Sequence, residues 1–246
     1  MLNLLELSIA PVAFLLIYIY KRDVISQEPK KELAKAFVGG VLSTILVIAP
    51  LMFLAIDAES WKDPFLSAFG QGFLEAGIPE ELMKFFILYI LIWKNKYFDE
   101  YFDGIVYAVF VSMGFACIEN ILYVFENGAG VGIVRAFTAV PGHFFFAVIM
   151  GYYFSMAKFD KFNRKKHMLK AITLPMLVHG TYDMILLYSD ALIEIDIDEY
   201  IWLVLLLIIF FFVFNFKLWK HGIKKIRELR AVDQSRLEEM NKESVE

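Results

Sequence analysis

The apolar stretch from Phe73 to Trp93 carries two adjacent carboxylates and a lysine, Glu80, Glu81 and Lys84. Ionisable side chains inside a membrane segment are costly, and they usually mark functional sites. Glu80 and Lys84 lie one helical turn apart and therefore share a helix face. Because paired carboxylates can accept and return a proton during hydrolysis, this motif predicts a catalytic centre in which Lys84 balances the negative charge. A purely structural intramembrane ion pair is the alternative.

Later apolar segments contain further polar residues: Glu119 and Asn120, then His143, then His179 and Asp183. A helical rise of about 1.5 Å per residue places the glutamate and the two histidines about 9 to 15 Å below the predicted outer ends of their helices. The same arithmetic places the first carboxylate motif in the outer half of the membrane. We therefore expect all these side chains to converge on one site.

Peptide hydrolysis requires an activated water, an oxyanion stabiliser and a proton donor for the leaving amine, and the sequence offers candidates for each. Glu80 and Glu81 are jointly the predicted general base. His143 and His179 are predicted to orient the water or to donate to the oxyanion, and Asp183 to fix the tautomer of one imidazole.

Two neighbouring residues complete the predicted catalytic set. Asn120 is expected to add a neutral hydrogen-bond donor, and Glu119 is included because it lies at the same depth. Glu119 has an alternative role, which is an ion pair with Arg135. Each histidine likewise has the alternative of a hydrogen bond between helices.

The same residue types are compatible with a metal centre. Two imidazoles and one or more carboxylates suit zinc with an open position for water, and the alternative ligand set is His143, His179 and Glu119. The sequence has no His-Glu-x-x-His motif, so such a site must be assembled across three helices. We therefore expect no cofactor, with zinc as the alternative.

Composition indicates a membrane protein, because 59% of the residues are hydrophobic and 17% are aromatic. The sequence predicts an all-α polytopic fold of about seven transmembrane helices. Glycines and Pro79 are expected to break the third helix just before the carboxylates, and these interruptions allow a start as early as Phe65. The predicted spans are 2–20, 36–57, 70–93, 104–125, 133–157, 168–188 and 200–218.

Basic residues are sorted along the chain in a way that predicts its orientation. Of the 24 Lys and Arg residues, all but Lys62, Lys84 and Arg135 fall in the connections 21–35, 94–103 and 158–170 or after residue 216. Cytoplasmic loops carry the basic excess, so we expect the N-terminus outside and the C-terminus inside. We also expect a protease domain over residues 1–220 and a short charged cytoplasmic tail over residues 221–246. Without a single basic face, nucleic acid is not an expected partner.

Four motifs occur in a fixed order and together resemble the PrsW family of intramembrane proteases. The resemblance implies relatedness to CAAX prenyl proteases and bacteriocin-processing enzymes. It also implies signalling by site-1 cleavage of membrane-anchored anti-sigma factors. The motifs are Glu80-Glu81-x-x-Lys84, Phe115-x-x-x-Glu119-Asn120, Arg135-x-Phe137-x-x-x-Pro141-x-His143 and His179-Gly180-x-Tyr182-Asp183.

The sequence and the resemblance together predict a multi-pass protein of the cell membrane, embedded in the lipid bilayer. It is expected to hydrolyse a peptide bond of a single-span membrane protein near the extracytoplasmic surface, with a glutamate-activated water. The alternatives are a zinc-dependent protease with the same residues, a CAAX-type prenyl protease, a proton-coupled transporter and an inactive receptor or scaffold. The CAAX branch is disfavoured, because its second motif ends in His where Glu119 stands here.

Overall fold

The computed structural model describes residues 3–23 and 25–243, which contain helices and no strand, as the predicted all-α class requires. Residue 2 of the first predicted span and residues 244–246 of the predicted tail lie outside the described residues. The helices are α1 (Leu4–Arg22), α2 (Lys30–Leu54), α3 (Pro64–Phe69), a π-helical segment (Gly70–Gly77), α4 (Ile78–Ile92), α5 (Asp103–Asn127), α6 (Ala129–Phe137), α7 (Ala139–Phe159) and α8 (Arg164–Glu243).

Several helices match the thickness of a bilayer. Among the described residues, four stretches are long and apolar enough to cross a membrane, which confirms the prediction of a multi-pass membrane protein. The number of seven spans and the orientation of the termini stay predictions. The four stretches are Leu4–Arg22, Asp103–Asn127, Ala129–Phe159 and Arg164–Lys242.

Helix α8 contains the sixth and seventh predicted spans. Its backbone is non-helical at Asp196, where φ is −166° and ψ is 100°. The Asp196 carboxylate accepts hydrogen bonds from the amides of Asp198 and Glu199, at 3.0 and 3.2 Å, as the N-cap of a new helix does. The rings of Tyr182 and Phe211 lie 4.9 Å apart across this turn, so the two stretches of α8 fold back on each other.

Helices α5 and α7 form the centre of the bundle. Both are buried along most of their length, and α5 packs against α1, α2 and α7. Small residues allow this contact, because a Cβ on Gly151 would lie 2.4 Å from the carbonyl oxygen of Gly104. Close backbone approach at small residues is how transmembrane helices pack without a hydrophobic driving force. The two helices therefore provide a rigid frame for the polar side chains that they carry.

The four basic segments gather at one end of the bundle, which we call the basic end. There Asn95 donates a 2.9 Å hydrogen bond to Glu32, and the Lys158 ammonium donates to the carbonyl oxygen of Trp93 at 2.7 Å. This arrangement is what alternating transmembrane helices require.

Helix α8 continues without a break from its second apolar stretch to the basic end. Ile226 and Leu229 are buried there. The Asp233 carboxylate accepts hydrogen bonds from the backbone amides of Tyr101 and Phe102, at 2.8 and 2.7 Å. These amides precede α5, so a residue near the end of the chain caps a helix near its middle.

Buried carboxylates also cluster at the basic end, in the connections between helices. Burial raises the pKa of Asp23 to about 6, and it raises the pKa of Glu28 and of Glu100 to about 7. The hydroxyl of Tyr107 donates a hydrogen bond to Glu28.

Candidate active site

The carboxylate motif follows a widened turn of helix. The prediction that the glycines break the helix is wrong, because the chain stays helical and forms a π-helix from Gly70 to Gly77. The amide of Ile78 bonds to the carbonyl oxygen of Phe73, five residues back. Pro79 then falls in the first turn of α4, where a missing N–H is tolerated. The two glutamates therefore lie in the first turn of α4.

Glycines bring this π-helical segment into backbone contact with α8. A Cβ on Gly77 would lie 2.6 Å from the amide nitrogen of Gly180, and a Cβ on Gly180 would lie 2.4 Å from the ring of Phe73. Any side chain at these positions would push the two elements apart. The close contact places the start of α4 beside His179, which precedes Gly180 on α8.

Glu81 and Lys84 form a buried ion pair that also holds His179. The Lys84 ammonium lies 2.8 Å from Glu81 Oε1 and 3.2 Å from Glu80 Oε2. Glu81 Oε1 also contacts His179 Nδ1 at 3.0 Å, and His179 Nε2 contacts Asp183 Oδ2 at 3.1 Å. Glu81 and Lys84 are both fully buried. The predicted charge balance and the predicted contact between Asp183 and an imidazole are thus present in the structure.

A second chain of contacts reaches His143 on α7. His143 Nε2 lies 2.6 Å from Glu119 Oε2, and Arg135 Nη2 lies 3.0 Å from the other oxygen of Glu119. Glu119 therefore makes the ion pair with Arg135 that was its alternative role, and it also contacts the predicted catalytic residue His143. Arg135 Nε donates to the side-chain oxygen of Asn120 at 2.9 Å, while the amide nitrogen of Asn120 donates to the carbonyl oxygen of Ser8 at 2.8 Å. The donor of Asn120 thus points to α1, away from the carboxylates where the sequence placed it, and its carbonyl positions Arg135.

The contacts of His143 indicate its tautomer. Lys84 Nζ lies 3.3 Å from His143 Nδ1. An ammonium group can only donate, so Nδ1 is the acceptor and Nε2 carries the proton that is given to Glu119. The rings of His143 and His179 meet edge to face, with centroids 5.1 Å apart. The two predicted histidines are therefore neighbours, as the depth argument requires.

A backbone break positions α7. The fifth predicted span is divided at Thr138, where φ is −121° and ψ is −76°. Pro141 lacks the N–H that would bond to the carbonyl of Phe137 in a continuous helix, so α6 ends there and α7 starts anew. His143 consequently lies in the second turn of α7 and faces α4 and α8.

These side chains surround a cavity of about 460 Å³. Glu80 faces this cavity, whereas Glu81 and Lys84 lie beneath its lining. The cavity is large enough for an extended peptide segment but not for a folded domain. Its polar lining comprises Gln71, Glu75, Glu80, Glu119, Arg135, Thr138, His143, His179, Asp183 and Asp190.

Formal charge shows that the site needs extra positive charge. Four carboxylates, Glu80, Glu81, Glu119 and Asp183, face the permanent cations of Lys84 and Arg135 in the contacts above. Two protons shared with the imidazoles, or one divalent cation, would neutralise the remainder. The site can therefore hold protons or a metal ion.

The site contains a group of side chains that could bind zinc. Glu80, Glu81, His143 and His179 each offer one ligand atom, and these atoms all lie within 4.8 Å of one another. These residues could hold a metal ion, since their types are those that zinc prefers. Glu119 is not a member of this group, and its carboxylate instead contacts His143 Nε2 at 2.6 Å. The Lys84 ammonium is close to three of the four groups and opposes a second cation there.

Aromatic side chains support the site in ways that polar spacing does not reveal. The Lys84 ammonium lies 4.0 Å from the ring centroid of Phe115, a favourable cation–π contact. Phe146 stacks on His179 with centroids 4.8 Å apart. Phe115 was noted only as part of the second motif and was given no role, and Phe146 was not singled out, because single aromatic residues in apolar helices carry little signal. The available sequence signal was their position: Phe115 lies four residues before Glu119, and Phe146 lies three residues after His143.

Comparison with known proteins agrees with this geometry. The family model described as "PrsW family intramembrane metalloprotease" matches residues 28–215. The chain is 39% identical to the Protease PrsW of Geobacillus kaustophilus (strain HTA426), over 77% of this chain and 82% of that protein. It is 35% identical to the Protease PrsW of Bacillus subtilis (strain 168), over 95% of this chain and 98% of that protein. The search of solved structures gave no match.

The match extends over most of both chains and includes every candidate site residue. It identifies the protein as a peptidase, which leaves the transporter and scaffold hypotheses without support. The family description includes the word metalloprotease, whereas the relatives' names specify no catalytic type, so the catalytic type is treated below. This chain belongs to the PrsW family of intramembrane proteases.

Proposed function

We propose that the protein is an intramembrane endopeptidase in which Glu80 activates a water molecule. The observation that carries this proposal is the unequal placement of the two adjacent glutamates. Glu80 lines the cavity, while Glu81 is buried beneath it against Lys84 and His179. A general base must reach its water, whereas a positioning residue must not move. Glu80 and Glu81, which the sequence analysis assigned jointly as the general base, are therefore given two different roles.

The reaction can be written with each proton assigned. Glu80 takes a proton from water while the water oxygen bonds to the carbonyl carbon of the substrate. His179 Nε2 lies 3.1 Å from Asp183 Oδ2 and 4.0 Å from Glu80 Oε2, and its N–H switches its hydrogen bond from Asp183 to the developing oxyanion. Glu80 then returns its proton to the leaving nitrogen as the C–N bond breaks. Glu81 holds Lys84 and His179 in place throughout.

The proposed topology rests on the distribution of basic residues, and the proposed substrate rests on the family resemblance. We infer seven spans with the N-terminus outside and the basic end in the cytoplasm, because basic connections remain on the cytoplasmic side. The protease domain then covers residues 1–220, followed by a cytoplasmic tail. On this orientation the cavity opens toward the extracytoplasmic surface. A single-span membrane protein such as an anti-sigma factor is the proposed substrate, on the strength of the family resemblance.

Cleavage in liposomes tests the glutamate mechanism. Wild type is compared with Glu80→Gln and Glu81→Gln, using a panel of single-span anti-sigma factors as substrates. We expect Glu80→Gln to lower kcat by about 10² to 10⁴, the usual contribution of general acid–base catalysis. Exposed Glu126 provides the matched control, and Glu126→Gln should cleave like wild type. Retention of full activity by Glu80→Gln would remove Glu80 from the chemistry.

A zinc-dependent protease is the second candidate, and the group of four possible ligands favours it. Glu80, Glu81, His143 and His179 would hold the ion, which would supply Lewis-acid activation of water. Chelator treatment of the purified protein, followed by metal analysis and zinc addition, separates the two mechanisms. Loss of cleavage on chelation with recovery in zinc would replace the glutamate mechanism. Unchanged cleavage in a metal-free sample would retain it.

A further inference from the structure

A second cavity, of about 300 Å³, lies next to the catalytic one. It runs between the junction of α6 with α7 and the second stretch of α8, and we call it the aromatic groove. Phe137 and Phe216 are 72% and 68% exposed, so the groove faces the lipid side of the bundle. Its lining residues include Phe137, Thr138, Phe211, Asn215, Phe216 and Trp219.

The groove contains an amide in an otherwise apolar run. Asn215 is 7% exposed, and its side-chain nitrogen donates to the carbonyl oxygen of Phe211 at 2.9 Å. Within the described part of the chain, Asn215 Oδ1 has no hydrogen-bond partner, and neither has the indole nitrogen of Trp219. The hydrocarbon core offers no water to replace these bonds, so unpartnered polar atoms are costly there. One acceptor and one donor, both buried and without a partner, thus lie within a turn of each other.

The groove adjoins the catalytic cavity. Thr138 lines both, at the backbone break between α6 and α7. Elsewhere the two cavities are separated by packed side chains. Tyr182 lines the catalytic cavity, and its ring packs against Phe211 of the groove with centroids 4.9 Å apart. A chain segment lying in the groove would need to pass these side chains to reach Glu80.

We propose that the aromatic groove is the docking site for the transmembrane helix of the substrate. This inference rests on the proposed function. A Ser, Thr, Asn or Gln side chain on the docked helix supplies the donor that Asn215 lacks and the acceptor that Trp219 lacks. The aromatic rings provide the packing surface. Docking at this site holds the substrate beside Thr138 and delivers its adjoining segment to the cavity.

Photo-crosslinking tests the docking without any need for cleavage. Benzoylphenylalanine is placed at Phe216, within the groove, in the Glu80→Gln background, and the protein is reconstituted with a single-span substrate. Phe210 is the matched control, since it lies on the same helix, is 51% exposed and is absent from the groove lining. We expect crosslinks to the substrate helix from position 216 and not from position 210. Equal crosslinking from both positions, or crosslinks only to lipid or to a second copy of the chain, would overturn the proposal.

Kinetics provide a second measurement. The ratio of kcat/KM for the anchored substrate to kcat/KM for the same segment without its transmembrane helix is compared between wild type and Asn215→Leu. Loss of one intramembrane hydrogen bond should lower this ratio about threefold to twentyfold, whereas Phe210→Leu should leave it unchanged. An unchanged ratio in Asn215→Leu would exclude the amide from docking. If wild type cleaves neither substrate, the proposed function fails, and the crosslinking result still decides the docking.

Discussion

Removal of the buried ammonium in Lys84→Met should strongly destabilise the protein. Lys84 Nζ lies 2.8 Å from Glu81 and 3.2 Å from Glu80. With an effective dielectric constant near 20, these distances give attractions of about 6 and about 5 kcal/mol before desolvation is subtracted. Breaking a buried pair from one side typically costs about 3 to 5 kcal/mol, because the other charge stays buried without a partner. For a chain of this size that corresponds to a fall in Tm of roughly 6 to 20 °C, measurable by thermal unfolding in detergent micelles.

The chain contains a matched control for this experiment. Lys35 pairs with Glu32 at 2.7 Å with the same spacing of three residues, but the Lys35 side chain is 53% exposed. Lys35→Met should therefore cost less than about 1 kcal/mol. The double variant Lys84→Met with Glu81→Gln removes both buried charges and should recover most of the lost stability. If Lys84→Met unfolds at the wild-type temperature, or if the double variant is less stable than the single one, Lys84 is not the counter-ion of Glu81.

Three shorter predictions concern other parts of the molecule. Gly77→Ala must separate the π-helical segment from α8 by about 1 Å, so cleavage should fall about a hundredfold, whereas Gly130→Ala, with open space around it, should be active. Burial raises the pKa of Glu28 to about 7, so the contribution of its protonated carboxyl group to stability is full below about pH 4.5 and is lost as the pH rises through 7. The drop in Tm between pH 5 and pH 8 should therefore be smaller in Glu28→Gln than in wild type. An equal drop in the two proteins would contradict this. Arg135→Lys cannot keep both the contact of Nη2 with Glu119 and the hydrogen bond of Nε to Asn120, so kcat/KM should fall about tenfold; equal activity would show that this double contact is dispensable.

Much of the architecture was accessible from the sequence because the membrane imposes simple rules. Apolar length identified the helical segments, and basic connections indicated which ends lie together. The cost of a charge in hydrocarbon singled out Glu80, His143 and His179, and the helical rise put them at one depth. Each of these arguments uses one dimension of the chain, the distance along a helix axis.

Features that depend on rotation and close contact were beyond that reasoning. The glycines before Glu80 indicated an interruption, but their use in a π-helix against Gly180 required knowledge of the facing backbone. Hydropathy could not show that Glu81 is buried while Glu80 faces the cavity. Asn120 lies at the expected level but is turned toward Ser8, because a difference of one residue rotates a side chain by about 100°.

The capping of α5 by Asp233 has a consequence for biosynthesis. The carboxylate is separated from the amides of Tyr101 and Phe102 by 132 and 131 residues along the chain. At a translation rate of about 5 to 20 residues per second, these amides wait roughly 7 to 26 s for their partner to be made. The central helix of the bundle is therefore made before the two amides that precede it have their partner. Final closure of the fold must await the last part of the chain, and a truncated product would carry an open helix end where chaperones and quality-control proteases could recognise it.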